Sequence, residues 1–423
     1  MMSELDEGRG GTTSRSSTRA ASVPTVARHG RLERRRAWPT LLAFVGAALA
    51  VLLVAGASLA AIVVAQLDAD IDTFVLPGQE NEEPVSIGAF KGGFNILIVG
   101  SDVCEDDSGC NGRGSAELND FTMLLHVSED QTNAVGVSFP RDLVVPVPAC
   151  PKADGSGSYS AMSARPINET LSYGGLACTA LTVQKLTGVD IQFAGLIKFS
   201  GVVAMSDAVG GVPVCVSGPI DDRYSGLQLP EAGTYTLSGE QALAFLRSRH
   251  GVGDGGDLTR ISSQQVFLSS LLRTIKSNDT LGDPVKVYNL ARAATSSMKL
   301  SDNFAQLDTL ASVALALRKI PLEQFTFVQY PGTTEGTDVF AGKVQPVVGE
   351  ADKLFAKILA DEPFALAAAG DGEGAAADPN APAAPVAPPP TATADPNVTV
   401  APAPEVLDLR GQTAADSTCS IAN

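Results

Sequence analysis

The segment 94–142 opens with Phe-Asn-Ile-Leu-Ile-Val-Gly-Ser-Asp (94–102), continues to Asn-Asp-Phe-Thr-Met-Leu-Leu-His-Val (119–127) and ends in Ser-Phe-Pro-Arg-Asp (138–142). Short apolar runs bounded by turn residues are typical of buried strands, and three occur here, at 94–99, 121–127 and 134–139. This reading places Asp102 just past one strand, Asp120 at the start of the next and Arg141 just past the third. Such residues at strand ends beside a glycine turn predict a ligand site in an α/β sheet.

The rest of the chain alternates between helical and extended patterns. Helical periodicity is seen at 167–187 with a break at Gly174-Gly175, and then at 201–209, 241–249, 259–276, 284–294 and 303–318. Strand patterns occur at 191–199, 212–216 and 325–330. This order predicts a sheet covered by helices.

Composition separates a folded region from two polar or low-complexity stretches. Residues 1–38 are polar and basic, and residues 366–404 are mostly Ala, Pro, Gly, Asp and Thr, so neither stretch offsets its ordering entropy by apolar burial. We expect both to be disordered, with a connector at 67–91 and a folded domain at 92–365. The final stretch, 405–423, is a candidate for a short strand with Cys419 joined to the domain.

An apolar run before the folded region predicts a membrane anchor. Residues 40–65 contain no charged side chain, which favours one transmembrane helix over 39–66; a cleaved signal peptide is the closer alternative and a buried core helix the weaker one. Eight arginines precede the run and acidic residues follow it. The positive-inside rule therefore predicts a single-pass protein of the cell membrane, with a cytoplasmic N-terminus and an extracellular domain.

The charge balance restricts the partners. The chain has a formal net charge of −17, and because residues 1–38 are net positive, the remainder is still more acidic. This excludes nucleic-acid binding through a general basic surface. An anionic ligand then needs a local arginine cluster or a bound cation.

The six cysteines all follow the apolar run, which favours disulfides in an oxidising compartment. Cys104 with Cys110 and Cys150 with Cys178 are candidate pairs among 15 connectivities. No Cys-x-x-Cys pair occurs and the chain has only three histidines, so a zinc site is disfavoured.

Charged residues beside glycine loops describe a diphosphate site with a magnesium ion, because carboxylates suit Mg²⁺ and arginine forks match phosphate oxygens. The candidates are Asp102, Asp120, Arg141, Asp142, Arg247, Arg249 and Arg260. Taken singly, each aspartate is more often a turn or cap residue and each arginine a solvated charge. Only their convergence in space favours the functional interpretation.

Five motifs in order resemble the LytR-CpsA-Psr family: the three of 94–142, then Ile-Asn-Glu-Thr (167–170) and Gly-Glu-Gln-Ala-Leu-Ala-Phe-Leu-Arg-Ser-Arg-His (239–250). The resemblance implies an α-β-α sandwich with a central mixed sheet. It also implies a membrane-anchored, metal-dependent phosphotransferase that moves a glycopolymer from an undecaprenyl-pyrophosphate carrier onto peptidoglycan. Pyrophosphatase side activity is a further expectation.

By residue match, the resemblance implies that Asp102 and Asp120 hold Mg²⁺ or Mn²⁺. The diphosphate would contact Arg141, Arg247, Arg249, Arg260 and Gln264, the polyprenyl chain would lie in an apolar groove, and Asp142 is a candidate base. Three positions depart from the family pattern, because Cys104, Asn119 and Ser263 stand where arginines are usual. Arg113 is a candidate replacement.

The departures keep a second hypothesis open, in which the chain holds lipid-linked precursors or scaffolds other transferases without catalysis. A third, transcriptional regulation, is the least favoured. Residues 1–38 are the predicted cytoplasmic part and contain no helix-turn-helix pattern.

Overall fold

The computed structural model describes residues 37–69, 71–78, 92–101, 117–152, 156–381 and 404–423. The helices within these ranges are α1 Ala37–Ala69, α2 Thr170–Thr187, α3 Phe199–Ala208, α4 Gly239–Arg247, α5 Asp257–Lys276, α6 Asn278–Leu281, α7 Pro284–Ser297, α8 Asp302–Ala305, α9 Leu307–Lys319 and α10 Val348–Leu359. Short 3-10 helices occur at Ile167–Glu169, Leu322–Gln324 and Asp338–Phe340.

The strands in the first half of the chain are β1 Asp72–Phe74, β2 Phe94–Ser101, β3 Asn119–Val127, β4 Ala134–Phe139, β5 Val144–Val147, β6 Cys150–Pro151, β7 Ser158–Tyr159, β8 Met162–Pro166 and β9 Phe193–Lys198. They are followed by β10 Val212–Val216, β11 Ile220–Asp222, β12 Leu227–Leu229, β13 Gly233–Leu237, β14 Met298–Ser301 and β15 Phe325–Gln329. The last strands are β16 Gly332–Thr333, β17 Gln345–Pro346, β18 Phe364–Leu366, β19 Ala375–Ala377, β20 Glu405–Leu407, β21 Gly411–Thr413 and β22 Thr418–Ser420.

The main sheet has the strand order β1-β14-β9-β2-β3-β4-β15-β21. Strand β3 runs antiparallel to both β2 and β4, whereas β9 joins β2 and β15 joins β4 in parallel. The sheet is therefore mixed, as the resemblance implied. Because β3 runs opposite to β2 and β4, the end of β2, the start of β3 and the end of β4 meet at one edge.

Helices cover both faces of this sheet, because its strands are apolar on both sides. On one face, Leu97 and Leu124 pack with residues of α2 and α10 such as Val183 and Leu354. On the other face, Phe94 and Met123 lie in a cluster that includes residues of α8 and α9, with Leu268 of α5 packed against it. The predicted helix–sheet–helix layering is confirmed.

Glycines interrupt α2, as the sequence predicts. Gly174 and Gly175 have non-helical backbone angles inside the helix, and Gly175 has a φ of 65°, which an L side chain rarely adopts. Cys178 follows the interruption and lies at disulfide distance from Cys150, with the sulfur atoms 2.03 Å apart. The predicted pairing of Cys104 with Cys110 lies outside the described residues.

The segment 404–423 is integrated into two sheets. Strand β21 pairs with β15 at the edge of the main sheet, and β22 pairs in parallel with β10 of a smaller sheet, where Cys215 and Cys419 are register partners at disulfide distance. Strand β19 in turn pairs with β22. The structure thus differs from the expectation of disorder at residues 366–381, because Ala375–Ala377 pair with β22 and Leu366 pairs with Leu407 of β20. Residues 382–403 lie outside the described part.

The connector and anchor regions are described in part. Strand β1 pairs in parallel with β14, so the predicted polar connector contributes an edge strand. Helix α1 contains the uncharged run at 40–65. Among the described residues, no helix combines the length and the apolar character needed to cross a membrane. The predicted membrane span stays a prediction from the sequence.

His126 ties β3 to the turn after α10. Its Nδ1 lies 2.8 Å from Asn95 Oδ1, and its Nε2 lies 2.9 Å from Asp361 Oδ1. Burial lowers the pKa of His126 below its ordinary 6.5, and the Asp361 carboxylate opposes this shift without cancelling it. The unfolded chain therefore takes up the proton first as the pH falls. The stabilisation linked to His126 is complete above the ordinary pKa and is lost as the pH falls from that value through the lowered pKa of the folded state.

We expect the free energy of unfolding to fall across this pH window, and His126→Asn to flatten the fall by removing the titrating ring. Urea unfolding at a series of pH values from 5 to 8 measures this difference between wild type and variant. Equal slopes for the two proteins would show that His126 makes no linked contribution.

Candidate active site

Asp120 and Arg141 meet at the edge where β2, β3 and β4 converge. Asp120 is the second residue of β3, and Arg141 lies in the turn after β4, where the Leu143 N–H donates to the Pro140 carbonyl over 3.0 Å. The Arg141 guanidinium forms an ion pair with the Asp120 carboxylate. The two side chains are 25% and 23% exposed, so the pair remains open to a ligand.

The neighbouring charges hold Arg141 in its charged form. Burial lowers the pKa of Arg141, but three carboxylates outweigh it and the pKa is raised: Asp120, Asp142 and Asp257. Asp142 lies 3.7 Å from Arg141 Nε and accepts a hydrogen bond from Lys343 Nζ at 2.9 Å. Burial raises the pKa of Asp142, and its cationic neighbours outweigh this, so its pKa is lowered.

Helix α5 adds a buried ion pair beneath this edge. Arg260 and Asp257 are each 4% exposed, and their side chains form an ion pair. Arg260 Nη2 donates to the Asp120 carbonyl over 3.5 Å, and Asp257 Oδ2 accepts from the Asp142 N–H at 3.4 Å. Asp257 thus connects α5 to the turn that carries Arg141. Burial lowers the pKa of Arg260, although Asp257 opposes this.

The turn after α4 brings a third arginine to the site. Helix α4 ends at Arg247 because Ser248 is extended, and Arg249 follows in the turn. Asp222, 1% exposed, accepts from Ser248 Oγ at 2.8 Å, the Arg249 N–H at 3.0 Å and the His250 N–H at 3.1 Å. These bonds lower the pKa of Asp222 against the effect of burial, which raises it. A buried carboxylate therefore fixes the backbone that presents Arg249.

These side chains surround one end of a cavity of about 570 Å³. The polar end contains Asp120, Arg141, Arg249 and Arg260. The remaining wall is mostly apolar and comes from the sheet, α3, α4 and α5: Ile98, Met123, Ile197, Phe199, Val202, Met205, Leu243, Leu246, Phe267, Leu268, Leu271 and Ile275. Three donors around the polar end, the Nε groups of Arg141, Arg249 and Arg260, are buried without a hydrogen-bond partner among the described residues.

Six predicted residues line this cavity: Asp120, Arg141, Arg247, Arg249, Arg260 and Gln264. Two of them have other contacts, since the Arg247 guanidinium lies 4.7 Å from the centre of the Phe199 ring and Gln264 Nε2 donates to the Leu246 carbonyl over 2.9 Å. Asp142 contacts Arg141 and Lys343 instead. Asp102 lies outside the described residues.

Sequence reasoning missed Lys343, Asp222 and Asp257. Lys343 reaches Asp142 from 201 residues away, a separation for which the sequence gives no signal. Asp222 ends a short strand and was indistinguishable from a turn residue. Asp257 stands three residues before Arg260, and that spacing on a helix was a usable signal for an ion pair.

Two positions at which the family pattern usually has an arginine hold other residues here, and those residues have structural roles. Asn119 is fully buried. In the orientation that gives both its amide N and its amide O a partner, the amide NH2 donates to the Ile167 carbonyl over 3.2 Å and the amide O accepts from the Thr122 hydroxyl at 2.8 Å. Ser263 is 1% exposed, with its Oγ 2.8 Å from Ser420 Oγ of β22. Both positions are therefore occupied by packing contacts. Cys104 and Arg113 lie outside the described residues.

Among the described residues, the polar end offers one carboxylate of the kind that binds a divalent cation, that of Asp120, which is paired with Arg141. Asp120 presents a cavity-lining carboxylate, and Ser101, the residue before Asp102, is the register partner of Asn119, the residue before Asp120. Carboxylate oxygens are the ligands that Mg²⁺ and Mn²⁺ prefer.

A cavity with an arginine cluster at one end and an apolar wall is typical of proteins that bind an amphiphile with an anionic head group. A model of the LytR_cpsA_psr family matches residues 66–354, and the chain belongs to this family. Cell wall biosynthesis protein LcpA of Corynebacterium glutamicum is 30% identical over 300 residues, 64% of this chain and 57% of that protein.

The Bacillus subtilis polyisoprenyl-teichoic acid–peptidoglycan teichoic acid transferase TagT is 26% identical over 192 residues, 44% of this chain and 54% of TagT. The chain thus spans little more than half the length of these curated relatives. Among solved structures, a LytR-Csp2A-Psr enzyme from Actinomyces oris aligns with a TM-score of 0.50 at 23% identity, covering 67% of this chain and 96% of that one. This likeness shows the fold alone.

Proposed function

We propose that this protein is a membrane-anchored transferase that moves a glycopolymer from an undecaprenyl-pyrophosphate carrier to peptidoglycan, outside the bacterial cell membrane. The observation that carries the proposal is that an arginine cluster and an apolar wall line the same cavity. The family's TagT is named for transfer of teichoic acid from a polyisoprenyl carrier to peptidoglycan. The uncharged run at 40–65 supports the anchor.

The apolar wall would hold the first part of the polyprenyl chain, and the polar end would hold the diphosphate. Arg249 and Arg260 have buried Nε donors without described partners, which suits the oxygen atoms of an anion. Arg141 would bind the phosphate group that is attacked, since its side chain is partly exposed at the cavity edge. Phosphoryl transfer depends mainly on such positioning and charge neutralisation.

A divalent cation would be held by Asp120 and Asp102 and would neutralise phosphate oxygens during the reaction. Asp120 forms an ion pair with Arg141 in this structure. When cation and substrate bind, the Asp120 carboxylate would contact the cation and Arg141 would contact the phosphate. Asp142 suits the positioning of Arg141 better than the role of general base. Its lowered pKa makes it a weak base, and Lys343 occupies one of its oxygens.

The proposal is tested with the full-length protein in detergent, an undecaprenyl-diphosphate-linked glycan and a peptidoglycan acceptor. We expect transfer that stops on chelation, returns with Mg²⁺ or Mn²⁺, and falls about 10²- to 10³-fold or more in Asp120→Asn, because a charged ligand is lost from the reacting end. Released phosphate would reveal pyrophosphatase side activity. Transfer that persists unchanged after chelation would contradict the metal-dependent mechanism.

A non-catalytic holding function is the second candidate, and the packing of Asn119 and Ser263 favours it, because two usual cationic positions no longer face the cavity. Wild-type protein that binds the lipid carrier in saturable fashion but transfers nothing with either metal would establish this alternative.

A further inference from the structure

An exposed aromatic ring stands at the mouth of the cavity. Tyr224 is 74% exposed, lines the cavity and contacts His250 in a tilted arrangement, with the two ring centroids 4.5 Å apart and the planes inclined by 46°. His250 follows Arg249 directly and also lines the cavity. The ring pair is therefore next to the arginine cluster and open to solvent.

We infer that Tyr224, supported by His250, forms a pyranose-binding platform beside the diphosphate end of the cavity. The inference rests on the proposed function and adds to it a residue that distinguishes a sugar-bearing lipid from a plain one. Together we call Tyr224 and His250 the ring pair.

The buried Asp222 carboxylate fixes the position of the ring pair relative to Arg249. Asp222 Oδ1 accepts from the Tyr224 N–H at 3.0 Å, while its Oδ2 accepts from the Arg249 N–H at 3.0 Å and the His250 N–H at 3.1 Å. Asn423 supports the same turn from another side, since its Nδ2 donates to the His250 carbonyl over 3.1 Å. The platform is built on fixed backbone, so little entropy is lost when a ligand stacks on it.

The chemistry fits a sugar. The axial C–H groups of a pyranose form an apolar face with a slightly positive surface, which complements the negative face of a tyrosine ring. In a glycan donor, the first sugar is bonded directly to the diphosphate. When the phosphates contact the arginines, that sugar would lie next to Arg249 and thus against the Tyr224 ring.

A sugar of the acceptor glycan has the same chemistry, and the experiment separates the two sources. In the donor arm, full-length protein binds undecaprenyl diphosphate or undecaprenyl-diphospho-N-acetylglucosamine, measured by calorimetry in detergent. In the acceptor arm, protein saturated with undecaprenyl diphosphate is titrated with a peptidoglycan disaccharide. Tyr224→Ala is compared with Tyr224→Phe, which keeps the ring.

We expect wild type to bind the sugar-bearing lipid about two- to tenfold more tightly than the plain one. Tyr224→Ala loses this difference and keeps its affinity for plain lipid, and Tyr224→Phe preserves the difference. Tyr159→Ala is the matched control, because Tyr159 is also exposed and also contacts another ring, that of Tyr173, in an edge-on arrangement with the centroids 5.9 Å apart. Loss confined to the acceptor arm would assign the platform to the acceptor sugar.

The inference is overturned if Tyr224→Ala changes neither arm, or if it weakens plain and sugar-bearing lipid equally, as a structural defect would. Equal binding of both lipids by wild type, with no effect in the acceptor arm, also overturns it. Wild type that binds neither lipid would instead overturn the proposed function, so the two failures are distinct.

Discussion

Arg249→Ala is expected to lower kcat/KM for glycan transfer by about 10²- to 10³-fold, the effect seen when one donor to a reacting oxyanion is removed. The structure gives a reason for this size. Asp222 fixes the Arg249 backbone, the side chain lines the polar end of the cavity, and its Nε is buried without a described partner. The Arg249 guanidinium is thus positioned for an anion before the substrate binds, and alanine at this position removes that preorganised donor.

The measurement is steady-state transfer with the sugar-bearing lipid, together with thermal unfolding to verify the fold. Arg249→Lys keeps the charge but not the fork, and we expect an intermediate loss. Arg223→Ala is the matched control, because Arg223 is an exposed arginine in the turn after β11. Equal activity of Arg249→Ala and Arg223→Ala would remove Arg249 from the proposed site.

Asp257→Ala is expected to destabilise the protein by about 3–5 kcal/mol, because it leaves the Arg260 charge buried without its partner. Both side chains are 4% exposed, so water reaches neither of them readily. The loss also frees the turn that carries Arg141, since Asp257 accepts from the Asp142 N–H at 3.4 Å. Urea unfolding at neutral pH measures the change, and activity falls with it at temperatures where the variant stays folded.

The matched control is Glu350→Ala. Glu350 pairs with Lys353 at the same three-residue spacing as Asp257 and Arg260, but these side chains are 42% and 65% exposed. Exposed pairs contribute about 0–1 kcal/mol, so the control should unfold almost as wild type does. Similar losses in both variants would contradict the role of burial.

The sequence predicted the local features well where pattern and chemistry agree. Strand β4 has the predicted bounds, α2 is interrupted at the predicted glycines, and the arginines at 141, 249 and 260 converge on one cavity. The strand bounds and the interruption of α2 depend on short-range spacing, whereas the convergence of the three arginines was implied only by the family resemblance. Propensity and motif therefore sufficed for them.

Contacts between distant segments escaped prediction. Lys343 meets Asp142 only because the loop after β15 folds back over the turn after β4. The structure agrees with the predicted short strand in the final segment and with the joining of Cys419 to the domain, but the partners β10 and Cys215 were not predicted. The alanine-rich composition of 366–381 predicted disorder, and this prediction was wrong. The backbone of this segment is ordered, because β22 supplies a template for hydrogen bonding.

The pairing of β22 with β10 also has a kinetic consequence. The register partners Cys215 and Cys419 are 204 residues apart, so closing this sheet requires a large loop to form before any pairing energy is gained. The Gly253 N–H donates to the Ile421 carbonyl and the Asn423 N–H to the Gly251 carbonyl, so the turn beside Arg249 gains its backing from the same late step. We therefore expect the turn beside Arg249 to be completed only when this long-range pairing has formed, so that substrate affinity would report complete refolding.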